Sequence, residues 1–488
     1  MVEFLYTRGI GGPVEQNLVL ETESIMLSAP LPPEKQAEVD DLARAIREAV
    51  DAEINELAAN LATADDAHVF GDNEFRIRAL AHKIAAKAIE QRLLQKKNGY
   101  QGASVTCPHC GQTAEFHAHR THTPLSLVGP VCYPRAYYLC RRCGQGTFPF
   151  DEAAGLTTRR LTPALERVAT LAGVVADSFE KGADLLEEMA GVRLGESTVE
   201  RTTEDAGQRL AEAVEAGAAL GPKADWPWHK DYDGRRCAYV ELDATGVRQQ
   251  GEAGGPAQGR MAYVGMVCNP CPEWPWPDEK PLPMQARYLS GLYSLEDFGP
   301  LLRTPAGHVG MDRADLWIGL SDGGNGLEDR LRENFPRVEV IILDFFHPAE
   351  KLTGLARLLD PQDENQTEDQ ARQWCQLLKE EGGAVLAAVL CEWDWPRRAG
   401  LSEAVDGLIG YLERNAHRME YPEYLAHGWC IGSGAVESAC KTVVGQRLKL
   451  AGMRWGEDGA HALCHLRALY RSEKGQWDAF WRRDFSPN

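Results

Sequence analysis

At 488 residues, 44% of them apolar and 25% charged, the chain has an ordinary globular composition and enough length for about three domains. Its formal charge of −20 argues against non-specific nucleic-acid binding by the molecule as a whole, since Lys and Arg neutralising phosphate supply most of that affinity; a local basic face stays open. No run approaches the roughly 18 unbroken apolar residues of a membrane span, Met1-Val2-Glu3-Phe4 lacks a signal-peptide pattern, and 13 cysteines suggest metal ligation or burial over a disulfide framework, so a cytoplasmic location is expected.

From Pro33 to Gln95 apolar residues such as Leu42, Ala45, Ile46 and Val50 recur at spacings of three and four, predicting helices broken at Gly71-Asp72-Asn73. Residues 1–98 are therefore read as a helical segment for dimerisation or DNA binding, its apolar stripes packing on the same chain or on a second subunit. Cys107-Pro108-His109-Cys110 is answered by Cys140-Arg141-Arg142-Cys143. Tight turns, favoured by Pro108, Gly111 and Gly144, let four thiolates close a tetrahedral Zn²⁺ site, so residues 99–155 are read as a zinc ribbon. Cys107, Cys110, Cys140 and Cys143 leave no open coordination position, which makes the zinc structural; the alternative is a redox dithiol pair. Residues 156–225 return to helix, with a turn at Gly191 and Gly195 and an N-cap at Ser197 or Thr198. This suits either a helix-turn-helix or two consecutive core helices, and Glu200, Glu204 and Asp205 stand where a DNA reader would carry basic residues.

The Pro- and Trp-rich stretch Gly221–Asp233 marks a boundary. Beyond it, strands are expected at Cys237–Asp243, Met261–Val267, Arg287–Ser290, Asp315–Ser321 and Val338–Leu343, with helices around Leu295–Leu302 and Gly326–Asn334. Three strands, helix, strand, helix, strand is the order of an RNase H-like core, an antiparallel meander continued by parallel crossovers. The fold class expected is thus multidomain α/β, with the core divided between residues 226–347 and 431–488 by a helical insertion over 348–430.

Three acids carry the expected chemistry: Asp243 ending the first strand, Asp322 just beyond the fourth, and Glu437 near the first turn of a helix starting at about Ser433. Two Mg²⁺ or Mn²⁺ ions roughly 3.5–4 Å apart need several carboxylates converging on one point. Asp344-Phe345-Phe346-His347 brings another acid and an imidazole to the same edge, so the second metal ligand is either Asp322 or Asp344. His347 bonds the scissile phosphate, steadies a carboxylate or caps a helix. Lys441, Arg447, Lys449 and Arg454 after Glu437, and Arg141 and Arg142 beside the cysteines, are the expected phosphate-binding residues. Trp274, Trp276 and Trp455 either stack on an unpaired base or fill a core.

Taken together, the two Cys-x-x-Cys pairs, Glu-Leu-Asp-Ala-Thr-Gly-Val, Ser-Asp-Gly-Gly-Asn-Gly-Leu, Asp-Phe-Phe-His, Gly-Ser-Gly-Ala-Val-Glu-Ser and Gly452-Met453-Arg454-Trp455 resemble bacterial insertion-sequence transposases of the ISKra group. That group is similar to the Mutator and hAT superfamilies, which share the Asp, Asp, Glu order, an Asp- or Cys-x-x-His signature and a helical insertion before the Glu. The resemblance runs from about residue 100 to the C-terminus, in motif order, and implies catalytic Asp243, Asp322 and Glu437, with Asp344 and His347 in the signature. It implies a Mg²⁺-dependent transposase that cleaves and joins double-stranded transposon-end and target DNA, nucleoid-associated, without membrane contact, and a homodimer because two ends must be held. The acidic balance departs from that of a typical transposase. Competing readings are an RNase H-like nuclease without strand transfer and a non-catalytic, transposase-derived DNA-binding regulator.

Overall fold

Helix-period and strand-period segments alternate along the computed structural model much as the apolar spacing suggests; it describes residues 31–63, 70–156, 160–251, 255, 257–269, 285–322, 324, 326–398, 400–432, 439–483 and 485–486. Among these, no helix is long and apolar enough to cross a membrane. The chain divides into two compact units, Met1–Thr123 with Pro130–Glu152, and Pro124–Gly129 with Ala153–Asn488.

In the first unit, helices α1 (Pro33–Thr63) and α2 (Asp72–Leu94) are tied by Lys87, which donates to the Ala49 carbonyl at 3.1 Å and pairs with Glu53 at 2.6 Å. The second helix docks on the ribbon through Glu90, which accepts from the Cys132 N–H at 2.6 Å. Four antiparallel strands follow in spatial order: β1 (Ser104–Thr106), β2 (Thr113–His122), β3 (Tyr133–Leu139) and β4 (Gly146–Thr147).

The second unit opens with helices α3 (Pro163–Val175) and α4 (Glu196–Glu215). Val199, Thr202, Thr203, Ala206, Gly207 and Leu210 of α4 are buried, and a Cβ on Gly207 would meet the Ala462 carbonyl oxygen at 2.4 Å, so small residues let α4 approach the later helix Glu457–Arg471 closely. What would be the second helix of a helix-turn-helix is therefore a core element. Glu196, Asp205, Glu212 and Glu215 are among its exposed residues, a poor surface for phosphates.

The centre of this unit is a five-stranded sheet built from β5 (Cys237–Val247), β6 (Arg260–Asn269), β7 (Gln285–Gly291), β8 (Leu316–Ser321) and β9 (Val338–Leu343), in the order β7-β6-β5-β8-β9. The first three pair antiparallel; β8 runs parallel to both β5 and β9. Cys237, Tyr239, Leu316, Ile318, Leu320 and Ile342 pack under the insertion helices, whereas Ala238, Val240, Leu242 and Ile341 pack with Phe298, Leu302 and Leu331 on the opposite face. Burial on both faces accounts for the nearly unbroken apolar runs of these strands. The insertion consists of α5 (Phe346–Leu359), α6 (Glu364–Glu392), α7 (Leu401–Asn415) and α8 (Tyr421–Ala426), with α6 kinked at Gly382, where φ is 83°.

Candidate metal centre

Strand register brings the acids together. The parallel partner of β5 stops at Ser321 opposite Leu242, while its antiparallel partner continues to Arg260 opposite Val247. Asp243 thus does not end its strand, as the sequence suggested; it lies one rung past the end of β8, and β5 runs on because β6 still pairs with it. On the other side Ser321 is opposite Leu343. Asp243, Asp322 and Asp344 are consequently the next residues of three adjacent strands, and side-chain alternation sets all three on the face shared by Tyr239, Leu320 and Ile342.

Asp243, Asp322 and His347 each offer a donor atom, and these atoms lie within 4.8 Å of one another. His347 comes from the first turn of α5. Asp243 Oδ1 accepts from the Ala244 N–H at 2.6 Å, and Asp322 Oδ1 accepts from the Gly324 N–H at 2.7 Å. Desolvation raises the Asp243 carboxyl above the usual aspartate value, with the Asp322 charge adding to it, while a hydrogen bond from the Cys440 thiol, the Ala244 N–H and His347 pull it down. Two acids this close, one of them desolvated, are unfavourable as bare carboxylates and become favourable around a cation. Two carboxylate oxygens and an imidazole nitrogen are a donor set for a divalent ion. The residues therefore fit a metal.

Asp344 belongs to different surroundings. It is buried, its Oδ1 accepts from the Phe346 N–H at 2.8 Å, and a Cβ on Gly432 would stand 3.2 Å from that oxygen. Of the two candidates for second metal ligand, Asp322 shares the cluster, whereas Asp344 accepts from the first N–H of α5. Glu241, two residues before Asp243, is buried, and its carboxyl is pushed well above the ordinary glutamate range by burial and then by the Asp344 charge; the Cys268 thiol donates to it at 3.7 Å. Glu437 lies outside the described residues. Its flanks are described: Gly432 lies beside Asp344, and Cys440 donates to Asp243.

The expected phosphate-binding residues separate by burial. Lys441, Lys449 and Arg454 are exposed, and Lys449 Nζ donates to Thr245 Oγ1 at 2.8 Å, two residues past Asp243. Arg447 is not available to DNA: it is 1% exposed, its Nε donates to the Gly173 carbonyl at 3.2 Å, and its guanidinium lies 4.6 Å from the Phe179 ring and 5.0 Å from the Trp455 ring. Burial brings its pKa down to about 10. Trp455 is also a core residue, its Nε1 donating to the Leu448 carbonyl at 3.1 Å. Trp274 and Trp276 lie outside the described residues. A basic group that the sequence did not point to, Arg418, donates to the Asp322 carbonyl at 3.1 Å.

In the first unit the four ribbon cysteines form the other cluster among the described residues, with Cys107 Sγ 3.7 Å from Cys143 Sγ and Cys110 Sγ 3.6 Å from Cys140 Sγ. Disulfides would need about 2.05 Å, whereas Zn–S bonds of roughly 2.3 Å in a tetrahedron set sulfurs about 3.8 Å apart. The two knuckles repeat one geometry: Gly111 N donates to Cys107 O and Gly144 N to Cys140 O, both at 2.9 Å, with φ of 72° and 71° at the glycines. Backbone N–H groups of Cys143 and Arg142 lower the Cys140 thiol to about 7. The cluster is compatible with structural zinc. Arg141 and Arg142 are exposed beside it, Arg141 pairing with Glu115 at 3.0 Å.

No family model and no curated protein matches this chain.

Proposed function

We propose that this protein is a DNA transposase with an RNase H-like core, cutting transposon-end DNA and joining it to target DNA in a divalent-metal-dependent reaction. The observation that carries the proposal is the convergence of Asp243, Asp322 and His347 just past the last rung that pairs β5 with β8. The strand order, an antiparallel meander extended by two parallel strands, supports the core assignment, and the long helical insertion between β9 and the Glu437 segment supports transposase over simple nuclease.

Mg²⁺ or Mn²⁺ held by Asp243, Asp322 and His347 would act as Lewis acid toward a phosphodiester. Asp243 and Asp322 bind and orient, and the N–H groups of Ala244 and Gly324 keep one oxygen of each carboxylate fixed. Glu437 is the proposed further carboxylate: three residues of chain span at most about 11 Å, and Cys440 already touches Asp243. Lys441, Lys449 and Arg454 hold DNA phosphates on the flank of the cluster, so that a net-negative protein binds DNA through one local face. In the ribbon, zinc holds the fold and Arg141 and Arg142 contact phosphate. Because two transposon ends must be held, the working form is a homodimer.

The test is incubation of the protein with labelled transposon-end duplex and Mg²⁺ or Mn²⁺. End-specific nicking with a joined product is expected, abolished in Asp243→Asn with DNA binding retained. Unspecific degradation would identify a nuclease instead, and a gel shift without cleavage a regulator.

A further inference from the structure

Arg418 ends the short turn Ala416–Arg418 between α7 and α8 of the insertion and is 3% exposed. Its Nη2 shares its two hydrogens among three oxygens of Ser321, the last residue of β8, and Asp322, the next: Ser321 O at 3.1 Å, Ser321 Oγ at 2.5 Å and Asp322 O at 3.1 Å. Its Nε lies 3.6 Å from Glu328, in the first turn of helix Leu327–Asn334. One guanidinium therefore spans both ends of the loop that begins with Asp322. A buried guanidinium is expensive unless oxygens satisfy it, and here the oxygens belong to the cluster's own support.

The insertion is shaped to deliver this group. At the kink of α6 the Gly383 N–H donates to the Met419 carbonyl at 3.1 Å; a Cβ on Gly382 would meet that oxygen at 3.1 Å, and one on Gly383 would meet Met419 Cβ at 2.9 Å. Gly382, at φ 83°, adopts a conformation that side chains resist, and the pair makes room for the residue next to Arg418.

We infer that Arg418 is a positioning residue for the cluster: by holding Ser321 and the Asp322 main chain it orients the Asp322 carboxylate before a cation arrives, and so makes metal affinity depend on the helical insertion. The inference rests on reading Asp243, Asp322 and His347 as a divalent-cation site. With its carbonyl held by Arg418 and Oδ1 held by Gly324, Asp322 has little orientational freedom left to lose on binding.

The experiment is calorimetric titration of Mn²⁺ into full-length, zinc-replete protein for wild type, Asp243→Asn, Arg418→Lys and Ser321→Ala, with circular dichroism to verify folding. Wild type binds and Asp243→Asn does not. Arg418→Lys weakens Mn²⁺ binding about 10- to 100-fold, the usual effect of losing a group that orients a ligand. Ser321→Ala, which deletes only the hydroxyl acceptor, weakens it about twofold to tenfold. In cleavage assays the half-saturating Mn²⁺ concentration of Arg418→Lys rises while its rate at saturating Mn²⁺ stays close to that of wild type. A folded Arg418→Lys with wild-type Mn²⁺ affinity overturns the inference. Should that variant fail to fold, unchanged affinity in Ser321→Ala overturns it. Absence of Mn²⁺ binding by wild type, or undiminished binding by Asp243→Asn, overturns the reading of the site itself.

Discussion

Replacing Asp243 by Asn should raise the stability of the metal-free protein while removing its response to metal. Donor oxygens of Asp243 and Asp322 lie within 4.8 Å of each other. Two unit charges at that distance repel by about 3.5 kcal/mol at an effective dielectric of roughly 20. Against this, Asn accepts a weaker hydrogen bond from the Cys440 thiol, a loss of about 1 kcal/mol. The net gain is about 2.5 kcal/mol, or a few degrees in melting temperature for a unit of this size. Adding Mn²⁺ at about 1,000 times its dissociation constant should stabilise wild type by about 4.1 kcal/mol and leave the variant unchanged, so the order of melting temperatures inverts. The sign with pH follows from the raised Asp243 carboxyl. Wild type is penalised as pH rises through the folded-state value and not below the unfolded value near 3.8, so the advantage of Asn fades in acid. Differential scanning calorimetry, after removal of free metal and restoration of one zinc per chain, reads all of this. A variant less stable than wild type without metal, or equally stabilised by Mn²⁺, would refute the reasoning.

Glu241→Gln tests the buried acid beside the cluster: a carboxyl held well above its ordinary value of 4.5 stabilises fully below that value and loses this contribution as pH rises through the raised one. The variant should therefore flatten the decline of melting temperature with rising pH and match wild type in acid. Cys143→Ser should abolish bound zinc in elemental analysis and make the first unit sensitive to protease, since metal affinity in such sites is folding energy. Lys449→Ala should reduce the slope of log affinity for DNA against log salt by about one. Arg447→Met should leave that slope unchanged while costing about 2–3 kcal/mol of stability in denaturant melts, because the Gly173 carbonyl loses its donor.

Much of the central sheet is legible in the residues. Val338–Leu343 is an apolar run bounded by turn residues, and β9 occupies those same six positions. Strand β5 is harder: Ala244-Thr245-Gly246 carries no apolar alternation, and only continued pairing with β6 keeps it extended to Val247. The cluster was half legible, because an acid after an apolar run is visible in sequence, but its assembly depends on the register between β5 and β8, set by parallel pairing across the sheet. Glu241 shares parity with Asp243 and stood in plain view as a buried-face acid. Arg447 and Arg418 look like surface cations because their partners are remote: Gly173 lies 274 residues from the first, and Ser321 lies 97 from the second. In α4 the small residues Ala206 and Gly207 mark close helix packing, a signal that the turn before it obscured.

The most direct test of the central claim is anomalous diffraction from crystals of the full-length protein grown with Mn²⁺. An anomalous peak within coordination distance of Asp243, Asp322 and His347, at about 2.0–2.3 Å from their donor atoms, is the expected result. Ordered Mn²⁺ elsewhere with none at this cluster would contradict it.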